Sequence, residues 1–503
     1  MRREPRPAPP QFVRSGEGER DGVQRKTTPH RDRLTRRPRR SGMARQISRR
    51  GLLKGTAALA GAAAGARAFR PPLLWSGEPA NSKLGCVVIG CGGRGMTSHL
   101  PEAVKERLVA LVDVDENQFA KCTRFIESKF KALKLPTFKT YTDYRKMFDE
   151  CAKDIDTVFV ATPNHHHALP AMIAMKLGKG AYVEKPMCHT IQEARAMAKM
   201  AEETKAPTQM GNQGHCAEGY RRLVEYIQAG AIGNVTEVHC WSDRANGGTG
   251  PRPPKEPVPA GLHWDEWIGP APYRDFHKDL HPHEWHNWYD FGNGSLGNMA
   301  CHIMDGAVWA LNLKWPTSIT LEMVNGGTGE YYPIGDRICY EFPARGEMPP
   351  VKLYWWDGKR PDKGGQNRPP IVEQLEKEND RKLGGNGTIY IGDKGVMHTD
   401  CYGGSPRILP EEKHKAFPPP EKTLPRTQSS FGDFLDACRS GKPTCASKFE
   451  VAAVLTEVVL LGNLAQKAGP NKRVEWDGPN MKSPNVPEVN ALVQKQNRKG
   501  WTL

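Results

Sequence analysis

Lys83 to Gly90 (KLGCVVIG) is a short, β-branched apolar run. A glycine-rich turn and a helical stretch lead from it to a second apolar run, Leu108 to Val112, that ends on Asp113. The same alternation continues through Asp156 to Ala161 (DTVFVA), a helix closing near Leu177, and Gly180 to Val183 (GAYV). Strands that are apolar on both faces and separated by helices predict a parallel sheet covered on both sides. Beyond residue 212 the pattern changes. A helix over Tyr220 to Ala229 precedes Val235 to Trp241, which alternates as a half-buried strand does and opens a second sheet. Residues 244–262, 357–370 and 403–425 are crowded with Gly and Pro and read as long loops. Phe431 to Ala437 and Val451 to Ala465 read as amphipathic packing helices, and no apolar segment after the N-terminal region reaches membrane length. The class is therefore α/β, with a doubly wound domain over 81–212 and a second domain over 213–503.

Charge changes the picture only at the N-terminus. The formal charge is +16 over 503 residues, yet residues 1–42 hold 13 basic and 5 acidic side chains, and residues 43–80 hold 6 and 1. The remainder is nearly neutral, so it offers no basic footprint for DNA or RNA. Residues 1–42 are rich in Arg, Pro and Gly and have no apolar period, which predicts a disordered basic extension, or a stretch ahead of a translation start at Met43. Residues 43–80 run from Ser48-Arg49-Arg50-Gly51 into an Ala/Gly-rich segment. They resemble a twin-arginine signal peptide and predict export to the periplasm in the folded state, with no stable membrane insertion afterwards. The 12 cysteines form no CxxC pair, and most sit in apolar runs, as small hydrophobes do.

The chemistry gathers where the strands end. Gly90, Gly92 and Gly95 fill a GxGxxG fingerprint with Gly93 and Arg94 between them; the spacing supplies a tight turn, a close approach to a pyrophosphate and helix-on-strand packing. Asp113 falls where a ribose-binding acid is expected. Its charge favours NAD over NADP, with Asp115 as the nearby alternative. The turn Thr162-Pro163-Asn164-His165-His166-His167 and the segment Glu184-Lys185-Pro186 lie at the carboxyl ends of strands, where ligands bind such sheets. Neither the three consecutive histidines nor His281, His283 and His286 complete a metal-ligand set, and no metal is expected. Trp285, Trp288 and Tyr289 suit the apolar face of a sugar, with Arg244, His283 and Asp290 for its hydroxyls. Asn298, His302 and Asp305 are spaced i, i+4, i+7 and would share one face of a helix.

GCGGRG, TPNHHH and YVEKP in this order resemble the glucose-fructose oxidoreductase and inositol dehydrogenase (Gfo/Idh/MocA) family, from about Leu84 to the C-terminus. The resemblance implies a Rossmann domain, then an α/β domain with an open, mostly antiparallel sheet, and an active site between them. Thr162, Pro163, Asn164, His167, Glu184 and Lys185 fall at its cofactor-facing positions. It implies that Lys185 sits beside the nicotinamide and the reacting hydroxyl, where the charge of the oxidised ring would lower its pKa. It also implies that His302 accepts the hydroxyl proton, with an imidazole pKa near working pH. Asn298 stands where many relatives have Asp and cannot take a proton; Asp305 is assigned to substrate.

These readings lead to an NAD-dependent oxidoreductase acting on a secondary alcohol of a sugar, cyclitol or glycoside, with tightly bound cofactor and a homo-oligomer formed through the second sheet. Two alternatives remain: a glycoside-cleaving enzyme that uses NAD for transient oxidation and elimination, and a non-enzymatic nucleotide- or sugar-binding protein.

Overall fold

The computed structural model describes residues 83–133, 137–362, 364–442 and 446–502. The basic extension and the twin-arginine segment expected at 1–42 and 43–80 lie outside the described residues.

The first sheet contains β1 (Gly85–Ile89), β2 (Arg107–Val112), β3 (Lys139–Tyr141), β4 (Thr157–Val160), β5 (Gly180–Val183) and β6 (Thr208–Met210). All of its pairings are parallel, in the order β3-β2-β1-β4-β5-β6. Every residue of β1, β4 and β5 is buried, which explains their unbroken apolar runs. Strands β3 and β6 are three residues each, too short for a period to mark them.

The second sheet contains β7 (Val235–Ser242), β8 (Ser318–Asn325), β9 (Gly335–Phe342), β10 (Val351–Gly358), β11 (Gly387–Gly392), β12 (Val396–Asp400), β13 (Arg407–Leu409) and β14 (Arg473–Glu475). Its order is β13-β12-β11-β7-β10-β9-β8-β14, antiparallel except where β10 runs parallel to β7. This is the mixed α/β architecture that the sequence predicts. Residues 244–262 carry no strand or helix, as expected, whereas 403–425 do not form one long loop. They hold β13 and the helix Glu411–Ala416, both too short to mark themselves among the prolines.

The helix Phe449–Ala468 corrects a second expectation. It is not amphipathic: Val458 through Leu461 are all buried, and it joins one apolar core with β1 of the first sheet and β9 of the second. By length and composition it could cross a membrane, contrary to the sequence reading, but 78% of its apolar window is buried inside the protein. Arg195 clamps it to the helix Ile191–Thr204 through Glu457, at 2.6 Å. All of the described cysteines except Cys401 are buried.

Candidate active site

The turn after β1 is built from glycines with different tasks. Gly90 has φ +87°, and a Cβ there would lie 2.7 Å from the carbonyl carbon of Ala161. A Cβ on Gly95 would meet the Gly90 oxygen at 1.8 Å, so packing alone forbids larger residues at both positions. Gly93, by contrast, faces open space. The middle of the turn therefore presents bare backbone to the cavity, as a pyrophosphate requires.

That cavity is about 430 Å³. Its wall includes Gly90, Gly92, Gly93, Arg94, Asp113, Thr162, Pro163, Asn164, His167, Glu184 and Lys185 from the first sheet, and Arg244, His283, Trp285, Asn298 and His302 from the second half. Of the predicted cofactor residues only Gly95 is outside the wall, which follows from its packing role. Asp113 accepts backbone N–H groups from Cys91 at 2.6 Å and Asp115 at 2.9 Å, and burial pushes its carboxyl up to about 6. It remains ionised at neutral pH. Asp115 is turned to the start of the next helix, where it accepts from the Asn117 backbone and the Gln118 side chain, and is no substitute for Asp113. The bare turn and the fixed acid together fit a dinucleotide.

Glu184 is committed within the protein. Its Oε1 lies 2.9 Å from His99 Nε2 and accepts from Arg94 Nη2 at 3.3 Å, and these partners hold its carboxyl down at about 2 against the opposing effect of burial. His167 ties the two ligand-facing turns together, its ring nitrogens 2.8 Å from the Pro186 oxygen and 2.7 Å from the Thr162 oxygen. His165 and His166 both reach the Trp267 carbonyl, and His166 lines the cavity beside His167.

Lys185 donates to the backbone oxygen of Asn298 at 2.6 Å and to its side-chain oxygen at 3.1 Å. Its pKa is lowered, as expected, but burial is the first cause and a neighbouring Arg94 charge adds to it; no bound ring is needed. The expectation for His302 is corrected. Burial, with the Lys185 charge behind it, pushes its imidazole down to about 3, far from working pH. His302 is thus a neutral ring, and its Nδ1 has no hydrogen-bond partner among the described residues.

Four predicted substrate residues are not in the wall. The segment containing Asn298 and His302 is a π-turn (Leu296–Ala300) continued by Cys301–Ile303, with a break at Met304 before Asp305–Ala310. The wider turn and the break rotate Asp305 off the shared face. It bonds instead to His215 at 2.8 Å and Asn212 at 2.9 Å. Trp288 is fully buried against Tyr331, with the Arg274 guanidinium 4.7 Å from its ring centre. Tyr289 packs on Tyr332, and Asp290 pairs with Arg274 at 2.7 Å. The aromatic run divides into one wall residue, Trp285, and a structural remainder. Tyr402 and Trp501 line the cavity without having been singled out, and His286, weighed only as a metal ligand, lines it too. They lie in a glycine-rich loop, the last residues and a histidine-rich segment, where no period points to a site.

Residues 84–212 match the family described as "Oxidoreductase family, NAD-binding Rossmann fold", and residues 234–328 match its "C-terminal alpha/beta domain". Both matches place these two segments in the Gfo/Idh/MocA oxidoreductase family, and residues 84–212 are an NAD-binding Rossmann domain. Among curated proteins it is 27% identical over 171 residues to levoglucosan dehydrogenase of Pseudarthrobacter phenanthrenivorans, covering 33% of this chain and 35% of that one. It is 32% identical over 202 residues to a glycosyl hydrolase family 109 protein of Solibacter usitatus, covering 38% and 44%. The alignments thus span less than half of either relative. The solved aldose-aldose oxidoreductase of Caulobacter crescentus shares the fold, with a TM-score of 0.51 at 17% identity over 78% of this chain and all of that one.

Proposed function

We propose that the protein is an NAD-dependent oxidoreductase that moves a hydride between the nicotinamide and a secondary alcohol of a small carbohydrate, cyclitol or glycoside. The observation that carries this reading is that Lys185, Asn298 and His302 share one cavity wall with the open glycine turn and Asp113. The Gly90–Arg94 turn would hold the pyrophosphate and Asp113 the ribose. Bound NAD supplies the hydride acceptor or donor. Lys185, with its ammonium disfavoured by burial, holds the reacting hydroxyl and relays its proton. His302, a neutral ring with Nδ1 unpartnered among the described residues, would hydrogen-bond the substrate, and Asn298 orients the Lys185 amine without titrating. Trp285 gives the sugar an apolar face to lie on.

Similarity to a glycosyl hydrolase family 109 protein supports a second reading, in which bound NAD is recycled within each turnover and a glycoside is cleaved. The test mixes the full chain with free sugars and glycosides and follows reduced nicotinamide with and without excess NAD. Continuous growth with excess NAD supports the dehydrogenase. A rise that stops at the enzyme concentration, with free sugar released, supports the second reading. The Arg49-Arg50 pair ahead of the Ala/Gly segment supports export by the twin-arginine route to the periplasm, and the open second sheet supports a homo-oligomer; signal deletion and solution mass test these two points.

A further inference from the structure

We infer that the substrate carries a carboxylate, so that the cavity takes an acidic sugar of the uronate class in preference to a neutral one. The inference rests on the oxidoreductase reading for which end of the cavity receives the sugar, and it goes further by naming the sugar's charge.

Three cationic side chains line the cavity: Arg94, Lys185 and Arg244. Glu184 already serves Arg94 and His99. Lys185 has no carboxylate ion-pair partner among the described residues; its hydrogen bonds go to the two oxygens of Asn298, whose own amide donates to Asn246 at 2.9 Å. An aspartate at 298 would pair with that ammonium directly, whereas asparagine leaves it only the charge of Glu184, which already holds Arg94 and His99, so an incoming anion gains from it. Arg244 is anchored by its backbone, its N–H donating to Ser242 Oγ at 3.2 Å and its carbonyl accepting from Ser295 Oγ at 3.3 Å. Its side chain is 61% exposed and makes only a long ion pair with Asp243, at 3.9 Å. The Tyr402 hydroxyl feels both the Arg94 and the Arg244 charges, and its ring lies 4.9 Å from that of His302. An arginine fork, a phenol and an ammonium lining one cavity suit a carboxylate on a polyol. Of the other acids of the wall, Asp113 ends β2 at the nucleotide turn, Asp143 is paired with Arg145 at 2.8 Å, and the Glu266 charge acts on that same arginine.

The test measures binding without turnover, by calorimetry on the full chain saturated with NADH at low salt. The probes are D-glucuronate and D-galacturonate against D-glucose, D-galactose and D-glucuronamide. At least one uronate should bind about tenfold or more tightly than its neutral counterparts, the scale of a charge-assisted hydrogen bond. Arg244→Gln should collapse that ratio towards one and Arg244→Lys should keep part of it; the side chain is exposed, so folding is not at stake. Asn298→Asp should lower the ratio by restoring the missing charge. Equal binding of acids and neutral sugars, no binding of either uronate, or a ratio unmoved by Arg244→Gln would overturn the inference. If Arg244→Gln weakens NADH instead, the arginine serves the nucleotide and the inference fails. Selective uronate binding with no hydride transfer defeats the oxidoreductase reading but leaves this one standing, and turnover of neutral sugars with no acid preference does the reverse.

Discussion

Lys185 and Asn298 are joined by two contacts, 2.6 Å to the main-chain oxygen and 3.1 Å to the amide oxygen, so that the half-buried amine is held by neutral acceptors. This fixes the direction of Nζ, and burial lowers its pKa from 10.5 against the opposing charge of Glu184. An amine that gives up its proton more readily suits a relay to an alcohol.

Replacing Lys185 with Ala should lower kcat by about 10²–10⁴-fold, the scale of a general acid–base group, while NAD binding survives. Stopped turnover with intact nucleotide binding is the expected result of paired kinetic and fluorescence titrations. Loss of nucleotide binding together with folding would remove the catalytic role.

The pH profile follows from the two titrating groups. His302, held at about 3, is neutral throughout the physiological range, so kcat/KM should have no inflection near the ordinary histidine value of 6.5. Activity in the oxidation direction should rise with pH as Lys185 loses its proton, at a pH below its ordinary 10.5. An inflection at 6.5 that disappears in His302→Gln would restore the ordinary titrating base.

Asp113 ties cofactor choice to pH. With its carboxyl near 6, NAD affinity should fall as the pH is lowered through 6 and the ribose acceptor is protonated. Asp113→Ala should weaken NAD about tenfold, on the scale of one lost charge-assisted hydrogen bond, and NADP much less. Equal losses for the two nucleotides would show that the acid does not discriminate between them.

The two tryptophans of the aromatic run should separate by phenotype. Trp288→Ala, a truncation at a fully buried site beneath Arg274, should cost about 3–5 kcal/mol of stability in denaturant unfolding. Trp285→Ala opens the cavity wall and should raise KM for the sugar with a smaller stability loss. The reverse pattern would place Trp288 in the binding site.

Asp336 and Asp357 form a fully buried pair in β9 and β10, with the Asp336 backbone N–H donating to Asp357 Oδ1 at 3.0 Å. Burial raises both carboxyls above the usual range, so the folded pair keeps a proton that the unfolded chain releases near pH 4. The folded state then binds more protons, and the pair's stability contribution is lost as the pH rises from there towards and past neutrality. Asp336→Asn should flatten that slope in unfolding measured across pH; an unchanged slope would assign it to other groups.

The parallel sheet and its glycine turn were legible because both are local: unbroken apolar runs report strands buried on two faces, and the GxGxxG spacing reports backbone needs that Gly90 and Gly95 meet by packing. The cavity membership of Lys185 and His302 was legible through the motif resemblance, since no periodicity joins residues so far apart. Asp305 was misplaced because an i, i+7 argument assumes an unbroken α-helix, and a π-turn followed by the Met304 break removes that premise. Trp288 and Asp290 were misassigned because composition does not distinguish an aromatic–polar pocket from a buried stack around Arg274. Tyr402 and Trp501 reach the site only through tertiary folding and carry no local mark.

The most direct test of the central claim is the time course of reduced nicotinamide when the full chain meets a panel of neutral and acidic sugars in excess NAD. Signal that grows well past the enzyme concentration on at least one sugar, and is abolished by Lys185→Ala, is the predicted result. No reduction of bound or added NAD by any sugar, with the nucleotide demonstrably bound, would contradict it.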